Sequence, residues 1–453
     1  MKCSVFGLWR SLRRGGSPRA AALMALLLPV SAALVLSVAA ARAGVEEREF
    51  AARRASVEGS LDSGSVAIFR AADMKMRSAD VEYRYRQESN LLYLTGINEP
   101  GVTLVLTGKK VAFDGATSSR FLLAGREAKA WLARSQALRD AALLDADRLP
   151  DLLQAVLKGA RTLYLSMPDV RFVNDWLNNR PLFLDRDVRK ELERRFEGLK
   201  VKSASPLVSP LRERKSPAEL DLIRKAIAAT GDGIVKAMQA SGPGAFEYEL
   251  QGALEGEMIR QGAANVGFPS IIGSGPNSLI LHYSLNSRKM EDGEIVVMDV
   301  GAEMEGYSAD VTRSFPVGGT FSDEQRAVYE AVLDAQKEAI AAVRPGTAFK
   351  ELDKVAKEAL TRKGFGKYLT HGISHHVGLD VHDVGSLDTL RAGMVVTIEP
   401  GAYIPASDTV LAQGYRGWGI RIEDDVLVTD SGHVVLSSRV PKEVDEIERA
   451  MRK

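Results

Sequence analysis

"EIVVMDVGAEMEGYSADVTRSFPV", residues 294–317, puts acids where buried strands should have none. It holds two strand-like runs. Asp299 stands near the end of the first, apolar run, and Asp310 stands in the second. Two later runs repeat the pattern. "MVVTIEPGAY" (394–403) carries Glu399 after β-branched residues, and "IRIEDDVLVT" (420–429) carries Glu423 between apolar neighbours. A carboxylate on a core strand is costly unless something compensates its charge. One such residue has an ordinary explanation, an Asp bonded to a turn at a strand end. Four of them, all at strand ends, are expected to converge, and converging carboxylates repel one another unless a cation sits between them. Arg421 lies two residues before Glu423, so a strand through both puts them on one face. That spacing fits an arginine orienting Glu423 behind a metal, and equally a plain ion pair.

Helix signals surround these strands. Ser216 can cap a helix, with Pro217 at its first position and Glu219 completing a capping box. Leu220, Ile223, Ile227, Ile234 and Met238 follow at helical spacing. Ser322 and Gln325 stand in the same capping relation for a second helix, which ends before Pro345 and Gly346; a third runs from about 348 to 362 and stops at Gly364. Residues 206–453 therefore read as α+β, long helices against a mostly antiparallel sheet. "PLVSPLRERKSP" (206–217), with three prolines and a basic cluster, marks a domain boundary. Before it, residues 44–205 read as α/β. A polar, partly helical lead-in over 44–60 precedes a strand in "SVAIFRAADM" (65–74). "GVTLVLTGKKVAFDG" (101–115) reads as strand, turn, strand, and "EAKAWLARSQALRDAALL" (127–144) as a helix. "RTLYLSM" (161–167) is a short strand and "DVRKELERRF" (187–196) a charged helix.

Hydrophobic content of 45% and charged content of 26% are those of an ordinary globular protein, and a formal net charge of +1 gives no basic excess for nucleic acid. Residues 1–43 differ. They begin with Lys2, Arg10, Arg13, Arg14 and Arg19, continue through "AAALMALLLPVSAALVLSVAA", and end in "ARA" (41–43). Basic start, apolar run and small-residue exit are the three parts of a secretory signal, cleaved after Ala43. The run is also long enough for an uncleaved membrane anchor. The Arg13–Arg14 pair lacks the fuller surroundings of a twin-arginine signal. The expected location is exported, periplasmic or secreted. The only cysteine, Cys3, leaves with the signal, which excludes a disulfide scaffold and a thiol nucleophile.

The chain has six histidines, and four of them fall in "HGISHHVGLDVHD" (371–383): His371, His375, His376 and His382. Four carboxylates with one imidazole make an oxygen-rich donor set. It suits Mn²⁺, Co²⁺ or Zn²⁺ better than copper or an iron–sulfur cluster. Four carboxylates exceed what one hydrolytic zinc usually takes. They suit two divalent ions sharing bridging carboxylates, with a bridging hydroxide as nucleophile.

In this order the words "HYSLN" (282–286), "MDVGAEMEGYSADVTRSF" (298–315), "HGISHHVGLDVHD", "TIEPGAY" (397–403) and "RIEDD" (421–425) resemble the aminopeptidase P and prolidase group of pita-bread-fold metallopeptidases. "YRYRQESNLLYLTGINEPG" (83–101) looks like that group's creatinase-like N-terminal domain. The resemblance covers most of residues 60–430. It implies that Asp299 chelates one metal, that Asp310 and Glu423 bridge two, and that His375 and Glu399 complete the ligand set of the second metal. It also implies that Glu399 handles the proton of the attacking water. His282 and His382 match histidines that contact substrate and stabilise the tetrahedral intermediate. His371 matches one lining the proline-side pocket, and Arg421 an arginine behind the metal. His376 departs from the family pattern. As the neighbour of His375 on an extended segment it points away from the metal. His433, in "DSGHVVL", reads as a surface residue in a turn.

The implied reaction releases the first residue of peptides with proline second. The Xaa-Pro bond lacks an N–H, so peptidases that need that hydrogen bond handle it poorly. The alternatives are a prolidase acting on Xaa-Pro dipeptides and a non-catalytic pita-bread binding module, the latter at odds with a complete ligand set. Family resemblance further implies a homodimer or homotetramer, peptide substrates, no nucleic-acid partner, and no membrane partner unless the signal stays uncleaved.

Overall fold

A computed structural model describes residues 44–452 except 127, 130, 131, 133–137, 167–172, 176–179 and 183. The signal segment expected over 1–43 lies outside the described residues. Residues 65–203 build a six-stranded mixed sheet from β1 (Ser65–Arg70), β2 (Thr103–Phe113), β3 (Ala116–Ala124), β4 (Ala142–Asp145), β5 (Thr162–Ser166) and β6 (Lys200–Ser203). The order is β6-β5-β1-β2-β3-β4. β1, β2 and β3 pair antiparallel, and the β1–β5, β5–β6 and β3–β4 pairs are parallel. β1 reads as a continuous apolar run because both its faces are covered. Val66 and Ile68 enter one core, and Ala67 and Phe69 the other.

Two expectations fail in this half. The chain does not turn inside 101–110. β2 runs on to Phe113 and turns at Asp114–Gly115, both at positive φ. Gly108 serves a different purpose. A Cβ there would lie 1.7 Å from the Asp62 carbonyl oxygen, so the glycine lets another stretch of backbone cross closely. The helix expected to reach residue 144 gives way to β4, which pairs with β3. Tertiary pairing overrides helix propensity there.

The boundary segment is itself partly helical, over Ser205–Arg212, with Pro206 tolerated in the first turn. The two halves share a core. Leu91 and Leu94 from the first half cluster with Leu222, Ile223 and Val377 from the second. In the second half the capping boxes form as read, at Ser216/Glu219 for the helix Pro217–Ala240 and at Ser322/Gln325 for Asp323–Ala341.

The antiparallel strands of this half do not form one sheet. β7 (Ile271–Ser274), β8 (Ile295–Val300) and β9 (Val311–Pro316) make one group. β10 (Val395–Ile398), β13 (Asp424–Val428) and β14 (His433–Val435) make another, and β11 (Gly401–Ile404) pairs with β12 (Trp418–Arg421). The reason is local. Ile398 pairs with Asp424 and Gly401 with Arg421, which leaves Glu399–Pro400 opposite Ile422–Glu423 with the ladder interrupted on both chains. Pro400 has no N–H to continue it. Both glutamates singled out in the sequence sit in this paired break. Among the described residues no helix is long and apolar enough to cross a membrane.

Candidate metal centre

Four strand ends deliver the carboxylates to one place. Asp299 is the penultimate residue of β8, Asp310 immediately precedes β9, Glu399 follows β10, and Glu423 precedes β13. The imidazole comes from residues 373–377, which run as an extended edge along β10. The Thr397 N–H donates to the His375 carbonyl, and the Glu399 N–H to that of Ile373, both at 2.9 Å. Asp310, His375 and Glu423 each offer a ligand atom within 4.8 Å of the others. His375 Nε2 lies 3.5 Å from Asp310 Oδ2 and 3.4 Å from Glu399 Oε1. Its Nδ1 faces the His376 carbonyl at 3.1 Å, which leaves Nε2 free to bind a metal.

The electrostatics fit a cation. Without one, burial lifts the Asp310 carboxyl well above its usual range, and Glu423, Asp299, Asp425 and Glu399 push it further. Burial does likewise to Glu423, and Glu399 and Asp299 push it further. Glu399 is held lower in spite of its burial by its neighbours His375, His371 and Arg421. Asp299 Oδ1 is buried without a hydrogen-bond partner. An orphaned carboxylate oxygen beside mutually repelling acids is what a metal ligand looks like before its ion is added.

Arg421 corrects one expectation. Its partner is Asp299, at 2.7 Å, and not Glu423. β12 ends at Arg421, so Arg421 and Glu423 do not share a strand face. Glu423 is reached through Thr312, whose hydroxyl donates to Glu423 Oε2 at 2.6 Å and accepts from Arg421 Nε at 3.2 Å. Arg421 also donates to the Tyr403 hydroxyl at 2.8 Å, and that hydroxyl lies 3.0 Å from His371 Nε2.

The other histidines differ in their surroundings. The ring of His382 packs against that of His375, centroids 4.3 Å apart. Burial lowers the pKa of His382, and His375 lowers it further. His282 is exposed, on the stretch between β7 and β8. His371 lies 3.9 Å from Glu399. His376 bonds the Ser386 carbonyl at 3.0 Å and packs on Phe349, so it faces away. His433 corrects its reading. It begins β14, is half-buried, and bonds the Val343 carbonyl at 3.0 Å. Sequence reasoning missed Thr312, Tyr403 and Asp425. Asp425 accepts the Asp310 N–H at 3.0 Å, and burial pushes its carboxyl up to about 8. Its place two residues after Glu423 was the available signal.

Residues 221–430 match the family described as Metallopeptidase family M24, and residues 50–132 match the Aminopeptidase P, N-terminal domain. The Xaa-Pro aminopeptidase of Escherichia coli K12 is 35% identical over 442 residues, covering 90% of this chain and 98% of the relative. The mitochondrial intermediate cleaving peptidase 55 of Arabidopsis thaliana is 32% identical, covering 89% and 83%. A solved structure of zinc-substituted E. coli aminopeptidase P in complex with product superposes with a TM-score of 0.76 at 33% identity, covering 90% of this chain and all of that one. An α/β N-terminal part followed by an α+β pita-bread part is the order these matches share. This chain belongs to metallopeptidase family M24.

Proposed function

We propose that this protein removes the first residue from peptides whose second residue is proline. The carrying observation is the convergence of Asp310, His375 and Glu423 ligand atoms within 4.8 Å, in a chain 35% identical to an Xaa-Pro aminopeptidase. Asp299, Asp310, His375, Glu399 and Glu423 would hold two divalent ions. Mn²⁺ best suits so oxygen-rich a set, and Co²⁺ or Zn²⁺ also fit. Such ions supply Lewis acidity and acidify a water.

The chain's own groups do the rest. Glu399 takes the proton of the attacking water as oxygen adds to the carbonyl of the first residue. His382 and His282 donate to the oxygen that becomes negative. The C–N bond to proline then breaks and the proton passes to the proline nitrogen, releasing a free amino acid and a peptide that begins with proline. His371, backed by Tyr403, borders the proline side. Arg421 fixes Asp299 and, through Thr312, Glu423.

Purified enzyme with Mn²⁺ is expected to release Xaa from Xaa-Pro-Yaa tripeptides and to leave Xaa-Pro dipeptides largely intact. Cleavage of the dipeptide alone would make the enzyme a prolidase. The composition of residues 1–43 further supports export by a cleaved signal. The exported protein is then expected to start at Gly44 by mass spectrometry, and a mass retaining residues 1–43 would mean an anchored enzyme instead.

A further inference from the structure

His282 is the one site histidine outside the 371–383 segment, and it is exposed on a long irregular stretch between β7 and β8. The turns on either side of it converge on one side chain. Glu247 is fully buried, and among the described residues no lysine or arginine side chain forms an ion pair with it. It accepts five hydrogen bonds. Oε1 takes the Ser274 N–H at 2.7 Å, the Ser274 hydroxyl at 2.7 Å and Asn277 Nδ2 at 3.1 Å. Oε2 takes the Tyr283 hydroxyl at 2.8 Å and the Arg288 N–H at 2.9 Å. Glu247 is also the first residue of the helix Glu247–Arg260, whose N-terminal end favours a negative charge.

We infer that Glu247 is a positioning residue for His282. Its donors span residues 274 to 288, and Tyr283 is the residue next to His282. The other side of the stretch rests on the metal-centre strands: the Gly419 N–H donates to the Ser278 hydroxyl at 2.9 Å, and Arg421 Nη2 reaches the Leu281 carbonyl at 3.4 Å. Glu247 thus fixes from outside a loop that the centre fixes from within. A carboxylate suits this position because all its partners are donors. Glutamine would turn an NH₂ group toward at least two of them. Glu247 accepts no hydrogen bond from a metal-ligand residue; its one link to their strands is Ser274, the last residue of β7, which pairs with β8. The inference rests on the Xaa-Pro aminopeptidase reading for its catalytic consequence.

Glu247→Gln is expected to raise amide hydrogen exchange over 274–288 while β8 and β9 stay protected. It is expected to lower kcat/KM on Xaa-Pro-Yaa by on the order of a hundredfold, as small misplacements of a reacting group can. Metal affinity by titration calorimetry stays at the wild-type value. In a His282→Ala background the same substitution should change kcat/KM less than about threefold, since the group it positions is gone. Tyr283→Phe, which removes a single donor, should show the same pattern on a smaller scale should Glu247→Gln fail to fold. Unchanged exchange in these variants overturns the anchor. So does a loss that adds in full to that of His282→Ala, or a loss shared by metal affinity. If the wild type cleaves no Xaa-Pro-Yaa peptide, the functional reading falls, and hydrogen exchange still decides the anchor.

Discussion

Asp310→Ala is expected to lower kcat/KM by about a thousandfold or more, roughly 4 kcal/mol of barrier, and to remove bound metal. Asp310 is the acid most hemmed in by the others: burial raises it, and Glu423, Asp299, Asp425 and Glu399 all add to the rise. With a cation present, that crowding becomes affinity. Without one it is stored repulsion. The conservative change Asp310→Asn should therefore act in opposite directions on stability and function. In chelator it should stabilise the fold by about 1–3 kcal/mol, the scale of an unsatisfied buried polar group. With Mn²⁺ added, the wild type should gain stability by mass action while the variant gains little. Urea unfolding with and without Mn²⁺, beside metal analysis, measures both. A variant that binds metal as well as wild type, or that is less stable than wild type in chelator, would sink the ligand assignment. His376→Ala is the control. Its ring packs on Phe349 and faces Ser386, so metal content and kcat/KM should stay within a few-fold of wild type.

What the sequence made legible follows from how local the signals are. A capping box lies within four residues, and Ser216/Glu219 and Ser322/Gln325 formed as read. Acids inside apolar runs are visible one strand at a time, so Asp299, Asp310, Glu399 and Glu423 could be picked out before their convergence was known. The alternation of His375 and His376 needs only an extended backbone. What stayed hidden depends on pairing between distant strands. Arg421 and Glu423 look like one face of one strand, yet the interruption of Glu399–Pro400 against Ile422–Glu423 separates them and turns Arg421 to Asp299. Thr312 becomes a bridge only because β9 runs beside β12. β4 was misread for the same reason, since its strand character comes from β3.

Asp424→Ala should cost about 3–5 kcal/mol of stability in chelator-treated protein, the penalty for leaving a buried charge without its partner. Asp424 and Arg313 are both fully buried, 2.8 Å apart. Asp424 also accepts from Ser437 at 2.7 Å, Gln336 at 2.9 Å and Lys442 at 2.5 Å. Burial alone would raise its carboxyl, but Arg313 and Lys442 more than offset that and hold it at about 2. Arg313 meanwhile donates to the carbonyls of Thr312, Glu423, Val440 and Pro441. Truncating Asp424 therefore strands a guanidinium in the core and loosens the backbone of a metal ligand and of the residue that orients it. Pairing Asp424→Leu with Arg313→Met removes the fully buried pair and should lose less stability than Asp424→Ala alone, because no guanidinium is stranded in the core and the part-exposed Lys442 keeps its bond to Gln336 at 3.0 Å. Its metal affinity should still fall, since the four carbonyl contacts go with the arginine. The urea midpoint separates the first effect and calorimetric titration the second. A loss under about 1 kcal/mol for Asp424→Ala would mean that water entering the cavity compensates Arg313. A double variant with unimpaired metal binding would mean that Thr312 and Glu423 are held by their strands alone. The expected outcome ties the two together: "RIEDD" carries a ligand in Glu423, its structural support in Asp424, and in Asp425 a carboxylate that holds the backbone of Asp310.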